Sequence, residues 1–284
     1  MKLSKHEKVE RIQKLRKDNS KKLGYCMPRP AIRDFPSDFP LLLDHKWGYP
    51  LGGWGGIRKG YNITHNPVIF VHGNARSASD WDESGKSVKE KFLQAGYSNQ
   101  ELWAVSYNGK SQKDRLSPCR TANTTNMLNI SDFIHSVIKY TRTDKVDIVA
   151  HSLGVTIVRR MMFEETNFFQ IIDNFIAIAG PNHGTSACRL FKEAYIGCDE
   201  VHPQSSWLKE MNGPNGSLEI SQPTKFMTIY DGTGADIFYQ GKEVHSPKLK
   251  GAYNLKLPGL NHDELRVSDR SVDAYLSFLI KTKN

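Results

Sequence analysis

The feature that most limits the fold is a change of hydrophobic period around Ser152. Residues 146–150 form a short apolar run with β-branched side chains, typical of a strand buried on both faces of a parallel sheet. After Gly154 the apolar residues recur at helical spacing, at positions Val155, Val158, Met161 and Met162. The pattern therefore predicts that Ser152 lies where a buried strand becomes a helix.

A serine on such a sharp turn has an exposed hydroxyl group, and small residues must flank it because the backbone is crowded there. The usual pattern is G-x-S-x-G, the turn that presents a nucleophilic serine. Here Ala150 replaces the first glycine. The alternative is a serine that caps an ordinary helix. A nucleophile also needs a base, an orienting acid and oxyanion donors, so the rest of the chain decides between the two interpretations.

Strand and helix patterns alternate along the chain. Strands are predicted at 67–71, 101–106, 146–150, 173–180, 225–232 and 251–259, and helices at 88–93, 126–140, 155–162 and 272–279. Such alternation predicts an α/β fold, with a mostly parallel sheet and helices on both faces. The 284 residues show no internal repeat, which favours one large domain.

Charge is concentrated at the start of the chain. The formal net charge is +9, and residues 1–22 hold nine Lys and Arg against three acidic residues. Val9, Ile12 and Leu15 lie three apart within this segment, as in a basic helix with a narrow apolar stripe. Such a helix would make a weak contact with an anionic surface; a solvated terminus is the alternative. No nucleic-acid-binding motif accompanies the charge, so no nucleic-acid partner is expected.

No apolar run has the length of a membrane span, and the first residues lack the apolar core of a signal peptide. The chain as written is expected to be cytoplasmic, and a trimmed mature form would be secreted. A monomer is expected. We divide the chain into a basic segment at 1–22, a lead-in at 23–65 and one catalytic domain at 66–284. The catalytic domain contains an insertion at 181–222.

The chain has four cysteines: Cys26, Cys119, Cys188 and Cys198. They include no C-x-x-C pair, and their spacing to His183 and His202 matches no common zinc pattern. No metal ion and no organic cofactor is therefore predicted. Disulfides between Cys188 and Cys198, or between Cys26 and Cys119, are left open, because pairing depends on the compartment.

In open parallel sheets ligands bind at the carboxyl ends of the strands. At this end of the first predicted strand lie His72, Gly73 and Asn74. Because Gly73 has no side chain, the backbone of this turn can approach a ligand closely. One oxyanion donor belongs in this loop and the other directly after the nucleophile. We expect the backbone amides of Asn74 and Leu153 to form the oxyanion hole.

The acid and the base are sought after the later strands. Asp231 stands at a strand end, where it also suits a turn, whereas Asp236 lies in a loop from which it reaches a histidine; we favour Asp236. His262 follows the last predicted strand and is the expected base. The chain order Ser, Asp, His is typical of a triad built on this arrangement. The remaining candidates are assigned structural or surface roles: His151, His183, His202 and His245.

The segments PVIFVHGN, YTRTDKVDIVAHSLGV, the loop with Ala235 and Asp236, and PGLNHDE resemble the alanine-elbow branch of the α/β-hydrolases. This branch includes small bacterial lipases, related nematode lipases and depolymerases of native polyhydroxybutyrate. The resemblance covers residues 66–280. It implies that Ser152 is the nucleophile, His262 the base and Asp236 the acid, with the amides of Asn74 and Leu153 as oxyanion hole.

The chain departs from these relatives in its basic start and in the segment that begins at residue 181, after the sixth strand of the fold. This insertion overhangs the expected site and has apolar residues suited to a cap or to an ordinary subdomain core. They are Leu190, Phe191, Tyr195, Ile196, Trp207, Leu208 and Met211. Trp54, Trp81 and Trp207 are the expected substrate-binding residues, with core packing as the alternative.

These parts imply a serine hydrolase that cleaves hydrophobic carboxylic esters through an acyl-enzyme, of the lipase or polyhydroxybutyrate depolymerase type. The same triad also serves thioesterases and acyltransferases. A non-catalytic surface-binding protein of this fold would lack one triad residue, and none is lacking here. Hydrolysis of a hydrophobic ester or polyester is therefore the expected activity.

Overall fold

A computed structural model describes residues 33–43, 45, 50–56, 63–74, 76–107, 125–188 and 196–281. An eight-stranded sheet forms its centre, in the order β1-β2-β4-β3-β5-β6-β7-β8. Its strands are β1 Arg33–Asp34, β2 Gly52–Gly55, β3 Val68–Val71, β4 Leu102–Ser106, β5 Val146–His151, β6 Ile172–Ile178, β7 Lys225–Tyr230 and β8 Tyr253–Lys256. Six of the seven neighbouring pairs are parallel, and only β2 and β4 run antiparallel.

Helices cover both faces of this sheet. They are α1 Val88–Gln94, α2 Thr125–Thr141, α3 Leu153–Glu164, α4 Phe168–Ile171, α5 Ile196–Glu200, α6 Ser206–Asn212, α7 Glu264–Val267 and α8 Asp269–Lys281. The predicted α/β architecture is confirmed, with element ends shifted by a few residues.

Two apolar clusters lie on opposite faces of the sheet, because side chains alternate along each strand. Ile69 and Val71 of β3 face a cluster with Phe133 of α2. Val68 and Phe70 of the same strand face the cluster that contains α1 and α8. The central strands are buried on both faces, as the continuous apolar runs predicted.

Strand β2 was not predicted, because its sequence GGWG lacks the composition of a strand. Gly53 has φ 139°, and a Cβ atom there would come within 2.0 Å of the Ala104 carbonyl oxygen. Only glycine fits this close approach to β4. Since β1 and β2 precede residue 66, the sheet extends into the segment that we assigned as a lead-in.

The insertion at 181–222 follows β6, as expected, and contributes α5 and α6. Leu208 and Met211 of α6 are buried rather than presented to solvent. The guanidinium of Arg159 on α3 donates to the side-chain oxygens of Asn182 and Asn212, at 3.2 and 2.9 Å. These buried bonds attach the insertion to the helix that begins at Ser152. This favours an ordinary subdomain core over a detached cap for these residues.

Cys198 of the insertion is disulfide-bonded. The side chains of Cys26, Cys119 and Cys188 lie outside the described residues, so the two pairings that the sequence left open stay open. The basic segment 1–22 also lies outside them. None of the helices in the described ranges is both long and apolar enough to cross a membrane.

Candidate active site

Ser152 lies in the turn between β5 and α3. It has φ 55° and ψ −127°, a conformation that residues with a side chain rarely adopt. Its backbone N–H donates to the Ile178 carbonyl of β6 at 2.9 Å, and its own carbonyl accepts from Val155 N at 3.0 Å. The sheet and the helix thus hold a strained turn in place, as a strand–serine–helix nucleophile requires.

The turn after β3 packs directly against Ser152. A Cβ atom on Gly73 would lie 2.9 Å from the Cβ atom of Ser152, so the residue at position 73 must be glycine. His72 fixes this turn: its Nδ1 lies 2.8 Å from the Gly73 carbonyl, and its Nε2 accepts from Tyr107 N at 3.3 Å. The Tyr107 hydroxyl donates to the His72 carbonyl at 2.6 Å. Asn74 therefore follows an anchored turn, and Leu153 begins α3 on the other side of Ser152.

His262 lies in the loop after β8 and pairs with Asp236 in the loop after β7. The distance from His262 Nδ1 to Asp236 Oδ2 is 2.8 Å, and the carboxylate is almost fully buried. The other oxygen of Asp236 accepts from the backbone N–H of Phe238 at 3.0 Å. The carboxylate is therefore fixed from both sides, and one oxygen is directed at the imidazole.

Asp231 has a different environment from Asp236. Its two oxygens accept from the backbone N–H groups of Thr233, Gly234, Ala235 and Gly259, at 2.7 to 2.9 Å, and from the Thr233 hydroxyl at 2.5 Å. Burial acts to raise the pKa of this carboxyl group, but these bonds outweigh it and lower the pKa to about 2. Asp231 thus joins the loop that carries Asp236 to the loop that carries His262.

His151, to which we assigned a structural or surface role, contacts the loop of the expected base. Its Nε2 lies 2.9 Å from the His262 carbonyl oxygen, and the two rings are 4.6 Å apart. A carbonyl only accepts, so Nε2 carries the proton. Burial, and next the charge of His262, hold the pKa of His151 well below its usual value. His151 is a neutral donor that connects the residue before Ser152 to the backbone of His262.

An ion pair joins the loop after β3 to the loop after β8. Arg76 Nη2 lies 2.5 Å from Asp263 Oδ2, next in the chain to His262. Arg76 also lies 3.8 Å from Asp80. No sequence signal connects two residues so far apart along the chain. The structure thus brings four segments to one end of the strands: the Ser152 turn, the Gly73 turn, the loop of Asp236 and the loop of His262.

The structure corrects the predicted substrate contacts of two tryptophans. Trp54 is 7% exposed and donates its indole N–H to the Ala78 carbonyl, and Trp81 is fully buried. Both belong to the core cluster that contains α1 and α8, so neither ring offers a face to a ligand. Trp207 is partly buried and packs under the Arg160 guanidinium, at 5.2 Å. Packing, the alternative interpretation, describes Trp54 and Trp81, and the predicted substrate contact of Trp207 stays a prediction.

Two of the other histidines, His183 and His202, have polar partners within the fold. Both ring nitrogens of His183 face oxygens, the Ser246 carbonyl and the Glu219 carboxylate, each at 3.0 Å. His202 Nδ1 accepts from the backbone N–H of Gln204. Within the described part of the chain, no group of three or more His, Cys, Asp or Glu residues is arranged to hold a metal ion.

A family model described as Lipase (class 2) matches residues 65–243, more than half of the chain. Solved structures with a similar fold include lipase BlEst2 of Bacillus licheniformis. Its propeptide form gives a TM-score of 0.59 at 14% identity, over 78% of this chain and 51% of that chain. Its mature form gives 0.54 at 14% identity, over 78% and 94%.

Aspergillus fumigatus lipase B gives a TM-score of 0.57 at 15% identity, over 78% of this chain and 55% of that chain. The matched region thus spans about half the length of this lipase and of the propeptide form of BlEst2. At such identities the likeness shows the fold, and it confirms the predicted α/β-hydrolase architecture.

Proposed function

Because the chain belongs to the class 2 lipase family, we propose that it hydrolyses hydrophobic carboxylic esters with Ser152 as nucleophile. In this proposal His262 is the base, and Asp236 orients it. The observation that carries the proposal is the 2.8 Å contact between His262 Nδ1 and a buried oxygen of Asp236, at the strand ends where the strained Ser152 turn also lies.

The contact with Asp236 determines which ring nitrogen reacts. A carboxylate only accepts, so Nδ1 of His262 carries a proton and donates it. Nε2 is then free of a proton and accepts the one from the Ser152 hydroxyl. The resulting imidazolium is stabilised by the buried carboxylate, which itself remains ionised.

Ser152 Oγ attacks the ester carbonyl as it loses its proton, and the carbonyl oxygen becomes negatively charged. The backbone N–H groups of Asn74 and Leu153 are the proposed donors to this oxygen. The first follows the turn anchored by His72, and the second begins α3, where the helix dipole also favours negative charge. Donors fixed before the reaction need little rearrangement as the charge develops.

The tetrahedral intermediate collapses when the protonated Nε2 of His262 gives its proton to the departing alcohol. Water then enters, His262 removes one of its protons, and the hydroxide attacks the acyl group on Ser152. This second tetrahedral intermediate collapses as the bond to Ser152 Oγ breaks, and His262 returns its proton to that oxygen. Release of the carboxylic acid then leaves Ser152 and His262 in their starting states. The proposed sequence requires no group beyond these side chains, two amides and water.

Triglycerides and polyhydroxybutyrate are the two proposed classes of natural substrate. Both substrates present hydrophobic esters at an interface. The enzymes that the sequence resembles include lipases, which cleave the first, and polyhydroxybutyrate depolymerases, which cleave the second. A weak contact of residues 1–22 with an anionic surface also stays a proposal, since these residues lie outside the described ranges.

The test is a panel of soluble short-chain esters, triglyceride emulsions and polyhydroxybutyrate granules, assayed with one preparation of the full chain. We expect hydrolysis of the soluble esters and of one of the two aggregated substrates. Ser152→Ala, the control, should lower kcat on the order of 10⁶-fold, since removal of a triad serine has that effect. Activity that survives in Ser152→Ala, or hydrolysis of thioesters alone, would contradict the proposal.

A further inference from the structure

Two adjacent apolar side chains are exposed directly after the proposed acid. Ile237 is 70% exposed and Phe238 is 40% exposed, and both follow Asp236 in the chain. Among the described residues, Ile237 is the most exposed of the large hydrophobic side chains. Single exposed apolar residues are common on protein surfaces, so exposure alone indicates no function.

The backbone that carries these side chains is held on both sides. Phe238 N donates to Asp236 Oδ1 at 3.0 Å, and the Phe238 carbonyl accepts from the Thr185 hydroxyl at 2.5 Å. The next residue, Tyr239, is buried, and its hydroxyl donates to the Ala179 carbonyl at 2.7 Å. Fixed bonds thus hold Ile237 and Phe238 outward, although burying apolar surface would be favourable.

Phe238 also borders the reacting group. Its ring centroid lies 4.5 Å from that of His262, with the two planes at 55°. In the proposed reaction His262 protonates the departing alcohol, so the alcohol oxygen must lie within hydrogen-bond distance of this imidazole. A group beside His262 is therefore placed toward the alcohol portion of the ester.

We propose that Ile237 and Phe238 bind the hydrocarbon part of the alcohol portion of the substrate and set a preference for apolar alcohols. The assignment rests on the proposed ester hydrolysis at Ser152. Neither side chain has a polar group for specific hydrogen bonds, so the contact selects for apolar surface. The backbone bonds at Phe238 keep the contact in place before substrate arrives, which lowers the entropic cost of binding.

The experiment compares two ester series on the full chain. One series holds the acyl group at acetate and lengthens the alcohol from ethyl to octyl; the other holds p-nitrophenol and lengthens the acyl chain. For Ile237→Ser we expect the octyl-to-ethyl ratio of kcat/KM to fall roughly tenfold, the loss that follows when one apolar side chain leaves a substrate contact. The dependence on acyl length should stay as in the parent protein.

Leu41→Ser is the matched control. Leu41 is 62% exposed and lies between β1 and β2, at one end of the strand order. Ile237 follows β7, which lies near the opposite end of that order. This control should keep the parent ratio in both series. Both series are measured with dissolved esters, below the concentration at which the esters aggregate, so that a change in the ratio reports contact with a single hydrocarbon chain. A repeat with emulsified esters reports contact with a lipid aggregate.

An unchanged alcohol ratio in Ile237→Ser, with Ser152-dependent hydrolysis intact, overturns the inference and leaves the proposed function standing. A change confined to the acyl series also overturns it. If the parent protein hydrolyses no ester in either series, the proposed function has failed instead.

Discussion

Two histidine–carboxylate pairs lie at opposite ends of the parallel strands of the sheet, one after β7 and β8 and the other before β3 and β4. At the carboxyl ends His262 Nδ1 is 2.8 Å from Asp236, and at the amino ends His65 Nδ1 is 3.3 Å from Glu101. Both carboxylates are buried. Residue types alone thus do not identify a catalytic pair, and the partners of each carboxylate must be compared.

Backbone and side-chain donors saturate Glu101. It accepts from the N–H groups of Thr64, His65 and Ser98 at 2.6 to 2.7 Å, and from the hydroxyls of Thr64 and Ser98. Burial acts to raise the pKa of Glu101, but these bonds lower it overall. Glu101 therefore joins two loops, and its weak contact with His65 is one bond among many.

Asp236 accepts a single backbone bond on one oxygen and directs the other at His262. His262 is also connected to the strained Ser152 turn, because its carbonyl accepts a hydrogen bond from His151, the residue before Ser152. Backbone amides thus reach both oxygens of Glu101, whereas one oxygen of Asp236 is left for the imidazole of His262, as the proposed orientation of a base requires. By the same criterion Asp231 belongs with Glu101.

The largest expected difference between the two pairs is in catalysis. Asp236→Asn should lower kcat about 10⁴-fold, because the imidazole of His262 loses both its orientation and its preferred tautomer. Glu101→Gln removes the same charge from the other pair and should leave kcat within a few-fold of the parent value. The measurement is the hydrolysis rate of a soluble short-chain ester, with thermal unfolding to verify the fold.

Asp231→Asn is the second control, because Asp231 lies in the same loop as Asp236. It should lower kcat much less than Asp236→Asn does, while it lowers stability through the loss of charge-assisted bonds to the amides. The reverse ranking of the two variants would transfer the role of acid to Asp231.

A smaller effect is expected at His151. His151→Met should lower kcat roughly tenfold, because the bond to the His262 carbonyl is lost and a neutral hydrogen bond has about that value. His151→Gln has nearly the shape of Met but keeps an N–H donor, so it should restore most of the rate. KM should change little in either variant. Equal rates for the two variants, with both folded, would reduce His151 to a packing residue.

The sequence was sufficient to predict the fold class, because period and composition distinguish buried strands from helices. It also selected Asp236 and His262, since functional groups are expected at the carboxyl ends of strands, and the structure places these two side chains in contact. Their catalytic roles stay a prediction.

The unpredicted features depend on contacts between distant parts of the chain. Strand β2 is built from glycines because the backbone of β4 approaches it closely. Trp54 and Trp81 belong to the core, but no periodic apolar pattern around them in the sequence indicates their burial. The bonds of His151 to the His262 carbonyl and of Arg76 to Asp263 join residues more than 100 positions apart.

The central claim is that Ser152 is a nucleophile activated by His262 and not by any other histidine. Its most direct test is labelling of the full chain with a fluorophosphonate, followed by mass spectrometry of the peptides. We predict an adduct on Ser152 that is abolished in His262→Ala and retained in His65→Ala. An adduct on a different residue, or equally fast labelling of His262→Ala and the parent protein, would contradict the account.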